Sequence, residues 1–114
     1  LADRPLIVFD VRGVEGPTAE AVLEEIALEQ VLGCAFRPMF LVGQEDDPAV
    51  WRRFGHLCEV IPPEEGWDGV TTYGEYLGRR LESIRADFDA RWFVTVAPTG
   101  LTQTQRTFLQ HCGR

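Results

Sequence analysis

The run Leu6-Ile7-Val8-Phe9 is apolar at every position and is closed at once by Asp10 and the turn signal Arg12-Gly13. A strand with one wet face alternates, so a short continuous run belongs to a strand covered on both sides, as in a parallel sheet. Parallel neighbours need a crossover of a dozen residues or more, and the next segment supplies one. Pro17 and Thr18 suit a first helical turn, Val22, Leu23, Ile26, Ala27 and Val31 hold one face, and Gly33 stops the helix.

The same alternation continues. Met39-Phe40-Leu41-Val42 ends in Gly43, and Asp47-Pro48 opens a short helix through Phe54. Leu57 to Ile61 alternates more and meets Pro62-Pro63, which predicts a strand near the sheet edge. Thr72 and Glu75 form a capping box for a helix striped by Tyr73, Leu77, Leu81, Ile84 and Phe88. Trp92 to Val96 reads as a fourth strand with Phe93 as a core residue beside Leu81, and Thr102 with Gln105 caps a last helix bearing Phe108, Leu109 and Cys112. Strands separated by helices predict an α/β, three-layer Rossmann-like domain: a four-stranded, mostly parallel sheet with helices on both faces. Its strand order is 3-2-1-4 in the Rossmann manner or 2-1-3-4 in the flavodoxin manner.

Composition narrows the function classes. At 114 residues with 45% hydrophobic content, positions 1–114 make a single domain that can bury a core without staples. Eighteen acids face 11 bases, all of them Arg, for a net charge of -7, which disfavours nucleic acid as a partner. With no Lys there is no phosphate-binding G-x-x-x-x-G-K-[ST] loop. No apolar run reaches the roughly 18 to 20 residues of a membrane span. Cys34, Cys58 and Cys112 form no metal-ligand spacing and read as interior residues of a reducing, cytoplasmic protein. Arg used to the exclusion of Lys fits GC-rich bacterial coding, and a start at Leu1 suggests a piece of a larger protein.

Ligands of open α/β sheets bind beyond the carboxyl ends of the strands. The loops predicted there carry Glu15, Glu45, Asp46, Asp47, Glu64, Glu65 and Asp68 against one base, Arg12, while Arg4, Arg37 and Arg91 enter strands at the opposite rim. Asp10, Glu45 and Asp46 are the candidate catalytic residues, able in principle to share a hard cation such as Mg; Asp10 capping its own turn is the competing role. Arg12, Glu15, Trp67, Asp68 and Thr99 are the candidate ligand-binding residues, with Trp67 as an aromatic platform flanked by carboxylates. No metal site is otherwise expected, and no cofactor beyond that Mg. Val8-Phe9-Asp10-Val11 is similar to the first motif of haloacid dehalogenase-like phosphatases, but Arg12 stands at that motif's second Asp and the later Lys is lacking.

Leu6 to Gly16, an apolar strand, Asp-Val-Arg and a glycine-containing loop leading into a long helix, resembles the opening of the N-terminal Rossmann-like domain of GT-B glycosyltransferases. Tyr76 to Val96, a helix with Leu81, Ile84 and Arg85 before an apolar strand, is similar to that domain's later helix and strand. The resemblance implies an acceptor-side domain whose sugar nucleotide is held mostly by a second domain, for which this chain has no room. Gly16-Pro17-Thr18-Ala19 also departs from the family's G-x-G-[RK] turn. Two readings follow. One is a noncatalytic module, or the acceptor-side domain of a carbohydrate-active protein, presenting an acidic loop surface to a protein partner, the rest of a parent protein or a carbohydrate acceptor. The other is a small cation-dependent enzyme built on Asp10 and nearby carboxylates.

Overall fold

The first apolar run forms β1, Leu6–Asp10, whose residues 6 to 9 have no solvent exposure at all. In the computed structural model, which describes residues 4–33 and 35–112, β1 is followed by α1 (Gly16–Gly33), β2 (Arg37–Gly43) and α2 (Ala49–Arg52). Then come β3 (Leu57–Ile61), α3 (Tyr73–Phe88), β4 (Ala90–Thr95) and α4 (Gln103–His111). Cys34 lies outside the described residues.

The four strands pair in the order β3-β2-β1-β4, and every pairing is parallel. This is the Rossmann half-sheet order, with the chain reversing direction between β1 and β4. The α1 and α2 crossovers step one way across the sheet, and α3 carries the chain back over the other face, as right-handed connections require.

Turn chemistry places the ends. Asp47 accepts the Ala49 amide at 2.9 Å and starts α2, which ends at Arg52 rather than Phe54 because Gly55 turns the chain at φ +79°. Thr72 accepts the Glu75 amide at 3.1 Å at the start of α3, and Asp89 closes that helix in the left-handed conformation. The capping box of α4 is complete, with Gln105 returning a bond to the Thr102 amide.

The sheet is covered unequally. One face packs Ile7, Phe9, Phe40 and Val42 against α1, α2 and α4, with Trp51 and Phe36 filling the space between. Phe40 stacks on Trp51 at 4.9 Å and on Phe9 at 5.8 Å, a continuous aromatic seam. The other face packs Leu6, Val8, Met39, Leu41 and Ile61 against α3 alone, through Leu77, Leu81, Ile84 and Phe88. Because α4 returns to the side of α1, only Ala90 at the start of β4 packs into the α3 cluster, and the middle of that strand is left open on the α3 side. Phe93 is consequently 42% exposed, which corrects its expected place in the core. Val31 departs from the expected helix face too: α1 runs on past its buried residues Val22, Leu23 and Ile26, and Val31 is exposed.

Candidate functional site at the carboxyl edge of the sheet

All four strands point the same way, so the loops after Asp10, Gly43, Ile61 and Thr95 gather at one edge. Asp10, Gly43, Pro62 and Pro98 line a single open cleft there, of about 690 Å³, with Arg12, Tyr73 and Thr95 among its walls. A second depression of about 500 Å³ lies between the starts of α1 and α2 and is bordered by Glu15, Glu20 and Asp47. Glu45 and Asp46 line both and form the ridge between them.

The floor of the larger cleft is a closed polar network. Arg12 donates from Nε to Asp10 Oδ1 at 2.9 Å and from Nη2 to Oδ2 at 2.8 Å, a bidentate pair, while its backbone amide donates to Oδ1 at 3.2 Å. Asp10 caps its own turn through the Arg12 amide, and both of its carboxylate oxygens are engaged by the Arg12 guanidinium. The Asp10 hydrogen bonds raise the pKa of the Arg12 guanidinium above its ordinary value, so the guanidinium stays charged. Nη1 of Arg12 reaches the Tyr73 hydroxyl at 3.3 Å, and that hydroxyl donates to the Pro62 carbonyl at 2.7 Å. One side chain at the start of α3 thereby ties the β1 loop to the β3 loop.

Asp46 performs the same service for β1 and β2. Its Oδ2 accepts the Gly43 amide at 2.8 Å and the Gly13 amide at 3.3 Å. A Cβ on Gly43 would sit 2.8 Å from that oxygen and would push the Asp46 carboxylate off its bond, and Gly13 itself turns at φ +83°.

The remaining loop acids make a different use of the edge. Glu15, Glu45, Glu64, Glu65 and Asp68 are exposed, and Arg12, the one guanidinium lining the cleft among the described residues, is already matched by Asp10. The uncompensated charge of this edge is therefore negative. Among the described residues no group of three or more His, Cys, Asp or Glu side chains is arranged to hold a metal ion.

Trp67 lies half-buried beside the cleft without lining it. Its indole donates to the Thr71 carbonyl at 2.8 Å, and its ring packs on Tyr76 at 4.6 Å and edge-on to Tyr73 at 5.5 Å. Gly69 lies so close that a Cβ there would come within 2.4 Å of the indole. The ring thus braces its own loop. Asp68 and Thr99 are exposed and line neither depression.

Of the residues singled out from sequence, the structure brings together Asp10, Arg12, Glu45 and Asp46 in the larger cleft and Glu15 with the latter two in the smaller. Tyr73 emerges as the hub that the spacing did not identify, because its partner Arg12 is 61 positions away. Asp46 carried a local signal in the four-residue turn Gly43 to Asp46, closed by the Asp46 amide on the Gly43 carbonyl at 3.1 Å. His56 and Cys58 share a face as their spacing predicts, and that face is the aromatic core: His56 packs on Phe40, and burial pushes the Cys58 thiol pKa up. Burial correspondingly holds the His56 pKa below its ordinary value.

Fold and site together define a doubly wound parallel α/β domain with an acidic cleft at its strand switch point. No family model, curated protein or solved structure matches the chain.

Proposed function

We propose that this domain is a noncatalytic binding module whose acidic carboxyl edge receives a basic, Arg- or Lys-bearing segment of a protein partner. The observation that carries the reading is the pair of adjoining depressions sharing Glu45 and Asp46, with exposed carboxylates on their rims and the cleft's own guanidinium spent on Asp10. Concave shape gives a side chain somewhere to enter, and low-dielectric walls concentrate the field of the rim carboxylates there. Asp10 and Asp46 serve as framework. Glu15, Glu45 and Glu64 are the groups left to meet a cation.

The test is titration of the domain with a short Arg-rich peptide and with a Glu-rich peptide of equal length. The basic peptide alone should bind, its affinity should fall as salt is raised through the range where the Debye length shrinks from about 10 to 3 Å, and the Glu15→Gln, Glu45→Gln pair should weaken it without lowering the melting midpoint. Equal binding of both peptides, or affinity indifferent to salt, removes the reading.

The acceptor-side carbohydrate reading has its own support in the ring cluster of Trp67, Tyr73 and Tyr76, which adjoins the cleft. Aromatic rings beside carboxylates suit a sugar's apolar face and hydroxyl edge. Quenching or enhancement of Trp67 fluorescence by oligosaccharides, abolished by Trp67→Phe, would favour it. The cation-dependent alternative predicts that millimolar Mg or Mn raises the melting midpoint, whereas the module predicts no change.

A further inference from the structure

The two depressions at the carboxyl edge differ in what lines them. The smaller has buried Val14 and Trp51 with half-buried Val50 as an apolar floor, below exposed Glu15, Glu20 and Glu45, and no base lines it among the described residues. Glu20 is drawn toward Arg53 at 4.0 Å, and Asp47 spends one oxygen on the Ala49 amide. Glu15 and Glu45 make no ion pair among the described residues. A long side chain with an apolar stem and a cationic head suits such a surface, the stem on the floor and the head among the carboxylates.

The larger cleft offers a different surface. Pro63, Ala97 and Pro98 stand exposed on its walls, and Pro62, Tyr73 and Leu77 are half-buried there. Its polar floor is satisfied from within: Arg12 is matched by Asp10, the Tyr73 hydroxyl donates to the Pro62 carbonyl, and Asp46 holds two backbone amides. Of its exposed carboxylates, only Glu64 is not shared with the smaller depression. A hollow of this kind gains more by taking an apolar side chain out of water than by desolvating a second charge.

We propose that the partner segment is mixed rather than uniformly basic: an Arg or Lys enters the smaller depression, an apolar side chain enters the larger cleft, and the backbone between them crosses the ridge at Glu45. This rests on the reading that the acidic edge receives a basic segment, and it names the second residue which that edge selects. Glu45 and Asp46 line both depressions, so one short segment can fill both at once. An extended segment turns every second side chain to the same side, about 7 Å apart, which delivers two neighbours into adjoining hollows. Charge then steers the encounter, and apolar burial prolongs it. An acidic segment is repelled, and a purely basic one leaves the larger cleft unfilled.

Three synthetic peptides of equal length test this. In the first, Arg and Leu take turns at every second position with Ser between them; in the second, Ser replaces each Leu; in the third, Glu replaces each Arg. The first should bind about tenfold more tightly than the second, the gain expected from burying much of one Leu side chain, and the third should not bind. Methyl-selective NMR spectra of the domain then locate the two side chains. Both Arg peptides should shift Val14 and Val50, and only the Leu-bearing one should also shift Ile61, Leu77 and Val96. Equal affinity of the two Arg peptides overturns the proposal and leaves the acidic-edge reading standing, whereas failure of both to bind ends the two together. Binding of the Glu peptide as tightly as the first overturns it, since no charge would then be read. So does a Leu-dependent gain that moves the exposed Leu28 and Leu32 of α1 in place of the cleft methyls. Cleft methyls that move on simple dilution, with no peptide present, would mean that a second copy fills the cleft, and would overturn it as well.

Discussion

The two faces of the sheet divide the labour of the molecule. The face under α1, α2 and α4 is sealed by large rings, Phe9, Phe36, Phe40 and Trp51, each no more than 1% exposed. The face under α3 is aliphatic, is covered by one helix, and leaves Phe93 and Leu57 open on its flanks. Yet the second face supplies the side chain that organises the cleft, Tyr73, from the first turn of that lone helix. Stability is concentrated on one side of β1 and β2, while the features that can meet another molecule lie at the edge and on the other side.

This contrast is broken most severely by removing a ring from the sealed face. Phe40→Ala should cost about 3 to 5 kcal/mol, because Phe40 touches both Phe9 and Trp51 and the space it leaves cannot collapse. Leu81→Ala, on a half-buried residue of α3, should cost about 1 to 2 kcal/mol, in line with partial burial of a Leu side chain. Chemical denaturation of the two variants measures both; equal losses would mean that the faces contribute alike.

The division is sharpened by changes at the cleft. Asp46→Ala leaves the amides of Gly13 and Gly43 without their shared acceptor and should cost about 1 to 3 kcal/mol, with faster hydrogen exchange at those two amides. Tyr73→Phe removes only the hydroxyl that links Arg12 to the Pro62 carbonyl and should cost about 1 kcal/mol. Its clearer readout is exchange at residues 62–72, which should quicken while the β1 and β2 amides hold. Uniform exchange across the sheet would show that Tyr73 is not what ties the two loops together.

The amino-acid pattern carried the fold further than the site. Continuous apolar runs at Leu6 to Phe9 and Met39 to Val42 specify buried parallel strands, and right-handed crossovers then restrict the strand order to two choices, of which 3-2-1-4 is observed. The cleft's position followed from that order, since ligand loops gather where strand direction switches. What could not be read was partnership. Asp10 and Arg12 are two residues apart and pair locally, yet the Tyr73 hydroxyl that joins this pair to the Pro62 carbonyl is delivered only by the tertiary fold. The exposure of Phe93 was hidden for a related reason: its neighbours alternate as a buried strand should, and only the choice of face by α4 leaves it uncovered.

The smallest expected effect tests the sealed face at its weakest point. His56 sits between Phe40 and Phe54, and its Nε2 is buried with no hydrogen-bond partner among the described residues. Burial lowers its pKa from the ordinary 6.5. A folded-state pKa below the unfolded one means that the unfolded chain binds the proton more readily, so stability present above pH 6.5 is lost as pH falls through and below that value. Replacing His56 with Phe removes the titrating group while keeping a ring against Phe40. Melting midpoints of the two proteins should run parallel above neutrality and separate as the solution is acidified, the His56→Phe variant falling more slowly. Every other group is common to the two proteins and cancels from the difference. If the two curves stay parallel down to pH 5, protonation of His56 does not strain the aromatic seam, and that face tolerates a charge that its packing says it should resist.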